Sequence, residues 1–232
     1  MRSDARVAVY YAPAFDDPLW RRAAEWLGRD PETGAAVPQP AVPGIADATA
    51  DPRLYGFHAT LKPPMRLRDS STWDNVVADA EKIAAGINAF TLPPLAVSDI
   101  HGFLALRETV FCAALQGLAD AFVGGLDAHR AQPSEAELER RRRGGRLTAE
   151  QDAMLVRWGY PYVFETWFFH MTLTRRLDAA GHAVFRPAAE AFFAEALARP
   201  RIVADVCLFT QASSGTPFNC ALRIPLGGSL GG

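Results

Sequence analysis

The sequence predicts an α+β fold built as two pseudo-symmetric lobes with an active cleft between them. Three observations predict it. Strand-like and helix-like segments alternate along the chain, one five-residue motif occurs twice, and each copy is followed by a helix, a strand and a further strand. The copies are Phe57-His58-Ala59-Thr60-Leu61 and Phe169-His170-Met171-Thr172-Leu173. In both halves the last of these strands carries Ala-Leu-Arg, at Ala105–Arg107 and Ala221–Arg223, which supports two related lobes.

The elements follow from local pattern. Arg6–Tyr11 reads as a strand, and Asp17 before Pro18 marks the start of a helix that ends near Gly28. Residues 30–53 lack an apolar period and read as a loop. A strand is expected over Gly56–Leu61, stopped by Pro63-Pro64, and a helix capped by Ser71 or Thr72 over the stretch to Asn88. Leu95–Ile100 and Phe103–Arg107 read as strands joined by a tight turn at His101-Gly102. Val110–Leu115 reads as a further strand and Leu118–His129 as a helix. Two short helices with capping-box spacing (Ser134/Glu137 and Thr148/Gln151) flank Gly144-Gly145, the first with Glu137–Arg141 and Glu139–Arg143 at pairing distance. A long strand over Tyr162–Leu173, a helix over Pro187–Ala198, and strands over Arg201–Thr210 and Phe218–Pro225 complete the pattern. We expect one two-lobed domain over residues 1–226, a helical insertion at about 131–160 and a flexible tail at 227–232.

Composition narrows the class. The chain has 232 residues, 49% hydrophobic and 22% charged, enough for a real core and unlike a disordered or fibrous chain. No apolar run approaches the ~18 residues of a membrane span, and the N-terminus reads as a strand rather than a signal peptide. Three cysteines without metal-type spacing (Cys112, Cys207, Cys220) point to a reducing, cytoplasmic setting. A formal charge of −2 argues against a duplex-DNA binder, and the Arg140–Arg143 run, interleaved with glutamates, reads as a solvated helix face.

Strand geometry says what the motif does. Alternation puts His58, Thr60 and Lys62 on one face, and His170, Thr172 and Thr174 on the matching face of the second copy. Phe57, Ala59, Leu61 and their counterparts form the apolar faces, suited to packing on helices. If the lobes pair about a pseudo-twofold axis, two imidazoles meet across a groove with a hydroxyl beside each. That is a general acid–base pair with donors for an anion between them. Lys62, Tyr55, Thr174 and Arg176 are candidate substrate contacts.

This constellation resembles the 2H phosphoesterase superfamily, the LigT-like proteins, named for two His-x-Thr/Ser motifs. Tyr55–Pro64, Arg157–Tyr162 and Phe169–Thr174 are similar to one bacterial subgroup described as phosphonate-metabolism proteins because of gene neighbourhood. The resemblance implies lobes that are each an antiparallel sheet with packed helices. It implies that one of His58 and His170 takes a proton from the nucleophile while the other protonates the departing oxygen. Thr60 and Thr172 would then donate to the non-bridging phosphate oxygens. No cofactor and no metal is expected. The implied activity is a metal-independent phosphodiesterase acting on a nucleoside 2′,3′-cyclic phosphate, a 2′–5′ linkage or a sugar cyclic phosphate. Two other functions compete: a non-catalytic binder of a phosphorylated metabolite or RNA end, and an RNA-processing factor with 2′–5′ ligase-like activity. Two intact imidazoles favour the enzyme, and the lack of a basic stripe counts against a large RNA. The oligomeric state is not legible.

Overall fold

The computed structural model describes residues 4–143 and 147–227. The elements run β1 (Arg6–Tyr11), α1 (Pro18–Leu27), α2 (Ile45–Ala48), α3 (Ala50–Tyr55), β2 (Ala59–Met65), α4 (Trp73–Ala85), β3 (Phe90–Leu92), β4 (Leu95–Ile100) and β5 (Phe103–Glu108). They continue with α5 (Ala113–Gly125), α6 (Glu135–Arg143), α7 (Ala149–Trp158), β6 (Met171–Arg176), α8 (Ala179–Leu197), β7 (Arg201–Val203), β8 (Asp205–Gln211) and β9 (Phe218–Pro225). Every pairing is antiparallel, in sheets of order β2-β1-β8-β9, β6-β5-β4 and β3-β7.

The sheet orders define the repeat. Exchanging β1, β2, β3 and β4 with β5, β6, β7 and β8 carries β2-β1-β8 onto β6-β5-β4, while β3-β7 maps onto itself. The last strand of each repeat pairs with the first strand of the other, so the lobes interlock. The α+β, two-lobed expectation is met. The Ala-Leu-Arg match is not part of it: β5 is the equivalent of β1, and β9 is an added outer strand without a counterpart. The apolar residues of both motifs, Phe57, Ala59, Leu61, Phe169, Met171 and Leu173, lie in one continuous core.

Both motif strands are outermost in their sheets and lie beside each other, so each turns an unpaired backbone edge toward the junction. Two indoles from other elements satisfy part of that edge. Trp167 Nε1 donates to the Thr60 carbonyl at 2.8 Å, and the fully buried Trp26 Nε1 on α1 donates to the Leu173 carbonyl at 3.0 Å. Outer position also explains why β2 runs through Pro63-Pro64 instead of stopping there, since an edge strand tolerates missing donors.

Several elements depart from the sequence expectation. The 30–53 loop contains α2, and α3 begins within it at Ala50; Thr49 Oγ1 donates to Ile45 O, and Arg53 reaches back to Leu27 O and Gln39. Val110–Leu115 is not a strand. Val110 and Phe111 are exposed, and Ala113 already starts α5, whose Leu115, Leu118, Ala119 and Phe122 are buried at helical spacing. The second motif strand starts only at Met171; Tyr162–His170 is irregular around a 3₁₀ turn at Phe164–Thr166. Helix α8 begins eight residues before Pro187, capped by Asp178. Both capping boxes in the 131–160 region form, but Glu137 pairs with Arg66 and Glu139 with Arg142 in place of the i+4 arginines. Gly144-Gly145 and the tail from 228 lie outside the described residues.

The indole bonds are testable. Trp26→Phe keeps an aromatic ring but orphans the Leu173 carbonyl. Removing that bond and part of the ring should cost about 2–3 kcal/mol and lower Tm by ~5–10 °C in thermal denaturation. A Tm within a degree of wild type would show that the β6 edge does not depend on the indole.

Candidate active site

Both histidines stand at the residue just before a motif strand, His58 before β2 and His170 before β6, and both are held in the same way. His58 Nδ1 lies 3.0 Å from the Gly56 carbonyl, and His170 Nδ1 lies 3.2 Å from the Phe168 carbonyl. A carbonyl only accepts, so Nδ1 carries the proton, and Nε2 of each neutral ring presents its lone pair. At His58 that nitrogen is 3.2 Å from Thr60 Oγ1, which donates to it. Each imidazole also lies against an aromatic ring: His58 on Tyr10 at 3.5 Å between centroids, His170 on Phe168 at 4.7 Å. Edge-on contacts from Tyr55 to His58 and from Phe103 to His170 complete both sockets.

The sockets set the electrostatics. Burial holds His58 down to about 3, with the Gly56 carbonyl opposing and the charge of His170 adding to the depression. His170 is likewise lowered, first by burial, opposed by the Phe168 carbonyl, and lowered further by Arg107. The charge of His170 thus bears on His58, and burial favours the neutral form of both rings. Tyr55 spans the motifs: its ring meets His58, and its phenol, raised by burial, is drawn partly back by the Thr172 hydroxyl.

A cavity of about 440 Å³ opens beside Thr172, lined by Tyr55, Phe103, Thr174, Arg176, Arg175 and Asp51. Three of the four expected substrate contacts, Tyr55, Thr174 and Arg176, thus share one cavity with Thr172. Arg176 is exposed and pairs with no carboxylate among the described residues, whereas Arg175 is paired with Asp47. Thr174 is buried and accepts from the Leu104 N–H at 3.0 Å, filling the irregular step between β5 and β6, so only its O–H remains to offer.

Lys62 is a correction. A bulge at Leu61 puts Thr60 opposite Tyr10 but Lys62 opposite Val9, so alternation fails and Lys62 turns to the other face of the sheet. There it is 2% exposed, donates to Val123 O at 2.8 Å and faces Asp127 at 3.5 Å. It ties β2 to α5 and does not reach the imidazoles.

Arg107 was missed. Its side chain shares the β5 face of Phe103 and Ala105, opposite Thr172, and its guanidinium lies 5.6 Å over the Phe168 ring that backs His170. Its Nε is buried without a partner, and no carboxylate pairs with it among the described residues. Strand parity points to it once β5 is known to pair with β6, and nothing in the sequence shows that pairing. Among the described residues no group of three His, Cys, Asp or Glu side chains is placed to hold a metal ion. No helix among them is long and apolar enough to cross a membrane.

Two interlocked lobes of antiparallel sheet, with a His-x-Thr motif at the start of each strand at their junction, match the two-lobed arrangement that the sequence resemblance implied. The chain belongs to the family described as "Protein of unknown function (DUF1045)", which it matches over residues 60–219. It is 39% identical over 238 residues to the ribose 1,5-bisphosphate phosphokinase PhnN of Janthinobacterium sp. (strain Marseille), covering 97% of this chain and 52% of that protein. It is 35% identical over 215 residues to the protein of that name from Laribacter hongkongensis (strain HLHK9), covering 92% and 50%. The chain thus spans about half the length of these relatives. Similar solved structures include E. coli LigT complexed with 3′-AMP (14% identity, 96% of this chain and 98% of that one, TM-score 0.47). Another is E. coli LigT complexed with NADP+ (11% identity, 97% and 99%, TM-score 0.44).

The corrected place of Lys62 has a direct consequence. Lys62→Ala leaves the Val123 carbonyl unpaired and opens a void beneath β2, while Asp127 keeps Arg130. It should cost about 2–4 kcal/mol in denaturant unfolding. An unchanged midpoint would show that Lys62 does not tie β2 to α5.

Proposed function

We propose that this chain is a metal-independent phosphodiesterase acting on a small cyclic or 2′-linked phosphodiester by two-histidine acid–base catalysis. One observation carries this reading: two imidazoles at the heads of adjacent motif strands, each anchored through Nδ1, each backed by an aromatic ring and each followed two residues later by a threonine. His58, the more strongly depressed, is the neutral base. Its Nε2 takes a proton from water as the water oxygen bonds to phosphorus. The P–O bond to the leaving group breaks, and His170, protonated, gives its Nε2 proton to the departing oxygen. Thr60 and Thr172 donate to the non-bridging oxygens as their charge grows. Arg107, half-buried beside His170 with its Nε–H unpartnered among the described residues, adds positive charge on that side and keeps the imidazolium acidic. Tyr55 and Arg176 bound the sugar side of the cavity.

The same chemistry accepts a nucleoside 2′,3′-cyclic phosphate, a 2′–5′ linkage or a sugar cyclic phosphate, the last fitting the phosphonate association of the resembling subgroup. This chain has no Gly-x-x-x-x-Gly-Lys run, its only lysines being Lys62 and Lys82, so the phosphokinase activity named for the two relatives is not part of this proposal. A cytoplasmic setting accords with its three free cysteines.

Hydrolysis of a 2′,3′-cyclic nucleotide should survive EDTA. His58→Ala and His170→Ala should each lower the single-turnover rate roughly 10²–10⁴-fold, and Thr60→Ala and Thr172→Ala about 10–10³-fold. The double histidine variant should fall short of the product of the single losses. Near wild-type turnover in either histidine variant, with circular dichroism unchanged, would move the binder reading ahead; loss in EDTA restored by Mn²⁺ would overturn the metal-free mechanism.

The pH profile follows from the depressed imidazoles. The reactive form carries one proton on the pair, and both sites titrate below 6.5 in the free protein. That form therefore decays as pH rises, and kcat/KM should peak below pH 6.5. A bound phosphodiester anion raises both sites, so kcat should peak at higher pH than kcat/KM. Arg107→Gln removes a neighbouring positive charge and should raise the His170 titration midpoint seen by NMR as well as slow turnover. Coincident optima for kcat and kcat/KM, or an unmoved His170 midpoint, would contradict this electrostatic account.

A further inference from the structure

A second, strongly basic cavity lies along β2 beyond the motif. It holds about 70 Å³, roughly two waters' share of liquid volume, and its wall includes Arg6, Lys62, Arg66, Arg130, Arg140 and Arg141. Their carboxylate partners are few. Glu137 takes Arg66, and Asp127 serves both Lys62 and Arg130, which leaves Arg6, Arg140 and Arg141 without an acidic partner among the described residues. Arg6 Nε is bound instead by the neutral Gln211 amide. Such an excess of positive charge is unexpected in a chain of formal charge −2. Of the arginine run, Arg141 is half-buried in this cavity, whereas Arg140 lines it from an exposed position.

The cations are not at rest there. Arg130 is 8% exposed, yet its Nη1 is buried without a hydrogen-bond acceptor. Arg6 and Arg141 are each pushed down, first by burial and in part by neighbouring arginines, Arg140 acting on Arg6, and Arg6 and Arg140 acting on Arg141. Burial and nearby Arg130 likewise lower Lys62 to about 8, against the pull of Asp127. Partly buried guanidinium groups of like charge, one with an unmatched donor, are stabilised by an incoming anion.

We propose that this cavity is a second anion subsite, which takes a terminal phosphoryl group carried on the same small molecule whose diester sits at the two histidines. The proposal rests on the reading of the histidine site given above. Two features join the sites. Lys62–Arg66 follow Thr60 on the outermost strand of its sheet, so the cavity begins on the order of 7 Å along β2 from Thr60 at ~3.3 Å per residue, with Lys62 entering its wall from the α5 side. Arg141 lies 5.3 Å over the ring of Tyr160, whose phenol acts on both Tyr10 and Tyr55, the two tyrosines that enclose His58. The span suits a sugar or nucleoside between a scissile diester and a terminal phosphate, and the volume suits one phosphoryl group, not a base.

Two measurements test it. In the first, wild-type kcat/KM is compared for adenosine 2′,3′-cyclic phosphate with and without a 5′-phosphate. The 5′-phosphorylated substrate should be favoured about 10–100-fold, the worth of one or two decades for charge-assisted contacts. That ratio should fall toward one in Arg140→Gln/Arg141→Gln and at high salt. In the second, pyrophosphate is titrated calorimetrically into the whole chain. Binding should persist in the His58→Ala/His170→Ala variant and be lost in the arginine variant. Should the double arginine variant fail to fold, Arg140→Gln alone, at an exposed helix position, should still weaken pyrophosphate several-fold. Pyrophosphate binding untouched by the arginine changes, or abolished by the histidine changes, would overturn the subsite. If no diester is hydrolysed at all, the catalytic reading fails, and the titration alone still decides the subsite. Pyrophosphate binding without preference for the 5′-phosphate would contradict a substrate-borne group and point to a separate phosphate ligand.

Discussion

The site depends on how two sheet edges are brought together without fusing. β2 and β6 are each the last strand of a sheet, and continuing the ladder across the junction would merge the lobes and seal the space between the motifs. The indoles of Trp26 and Trp167 take up one carbonyl on each motif strand, Leu173 and Thr60, from outside the sheet. A buried carbonyl left unpaired costs about 1–3 kcal/mol, comparable with a large share of a domain's net stability. Those two bonds satisfy part of each edge, and the residue preceding each strand is a histidine held in its own aromatic socket.

Everything polar in the site then follows from burial. The sockets made by Tyr10, Tyr55, Phe103 and Phe168 fix the rings and remove water, which drives both imidazoles to the neutral state with Nε2 unprotonated. Nearby cations, Arg107 on one side and the arginine-lined cavity on the other, make the region favourable to an anion before any proton moves. In the proposed mechanism an anionic substrate entering it would supply the field that lets one imidazole hold a proton. Binding and acid–base poise are in this account one electrostatic event.

Much of this was legible in the sequence, because the histidine motif is written twice and because caps, hairpin turn and apolar faces are local signals. Asp17, Thr72, Thr148 and Gly28 cap the helices their residue types announce. His101-Gly102 adopts the two positive φ angles of a tight hairpin turn. What escaped was non-local. A bulge at Leu61 reversed the face of Lys62, which no alternation count reveals. Arg107 and the cavity around Arg130 and Arg141 depend on which strands pair and where α6 packs. The Ala-Leu-Arg coincidence was local but misleading, since strand exchange between the repeats makes β1, not β9, the partner of β5 in the symmetry.

The central claim is that both imidazoles act on one phosphate. The most direct measurement is ¹⁵N-edited NMR of the His58 and His170 rings during titration with inorganic phosphate at neutral pH. Both rings should start neutral with the proton on Nδ1, and both should shift with the same saturation midpoint, one of them gaining Nε2 protonation. A shift confined to one histidine, or two midpoints that differ, would contradict a shared phosphate and with it the two-histidine mechanism.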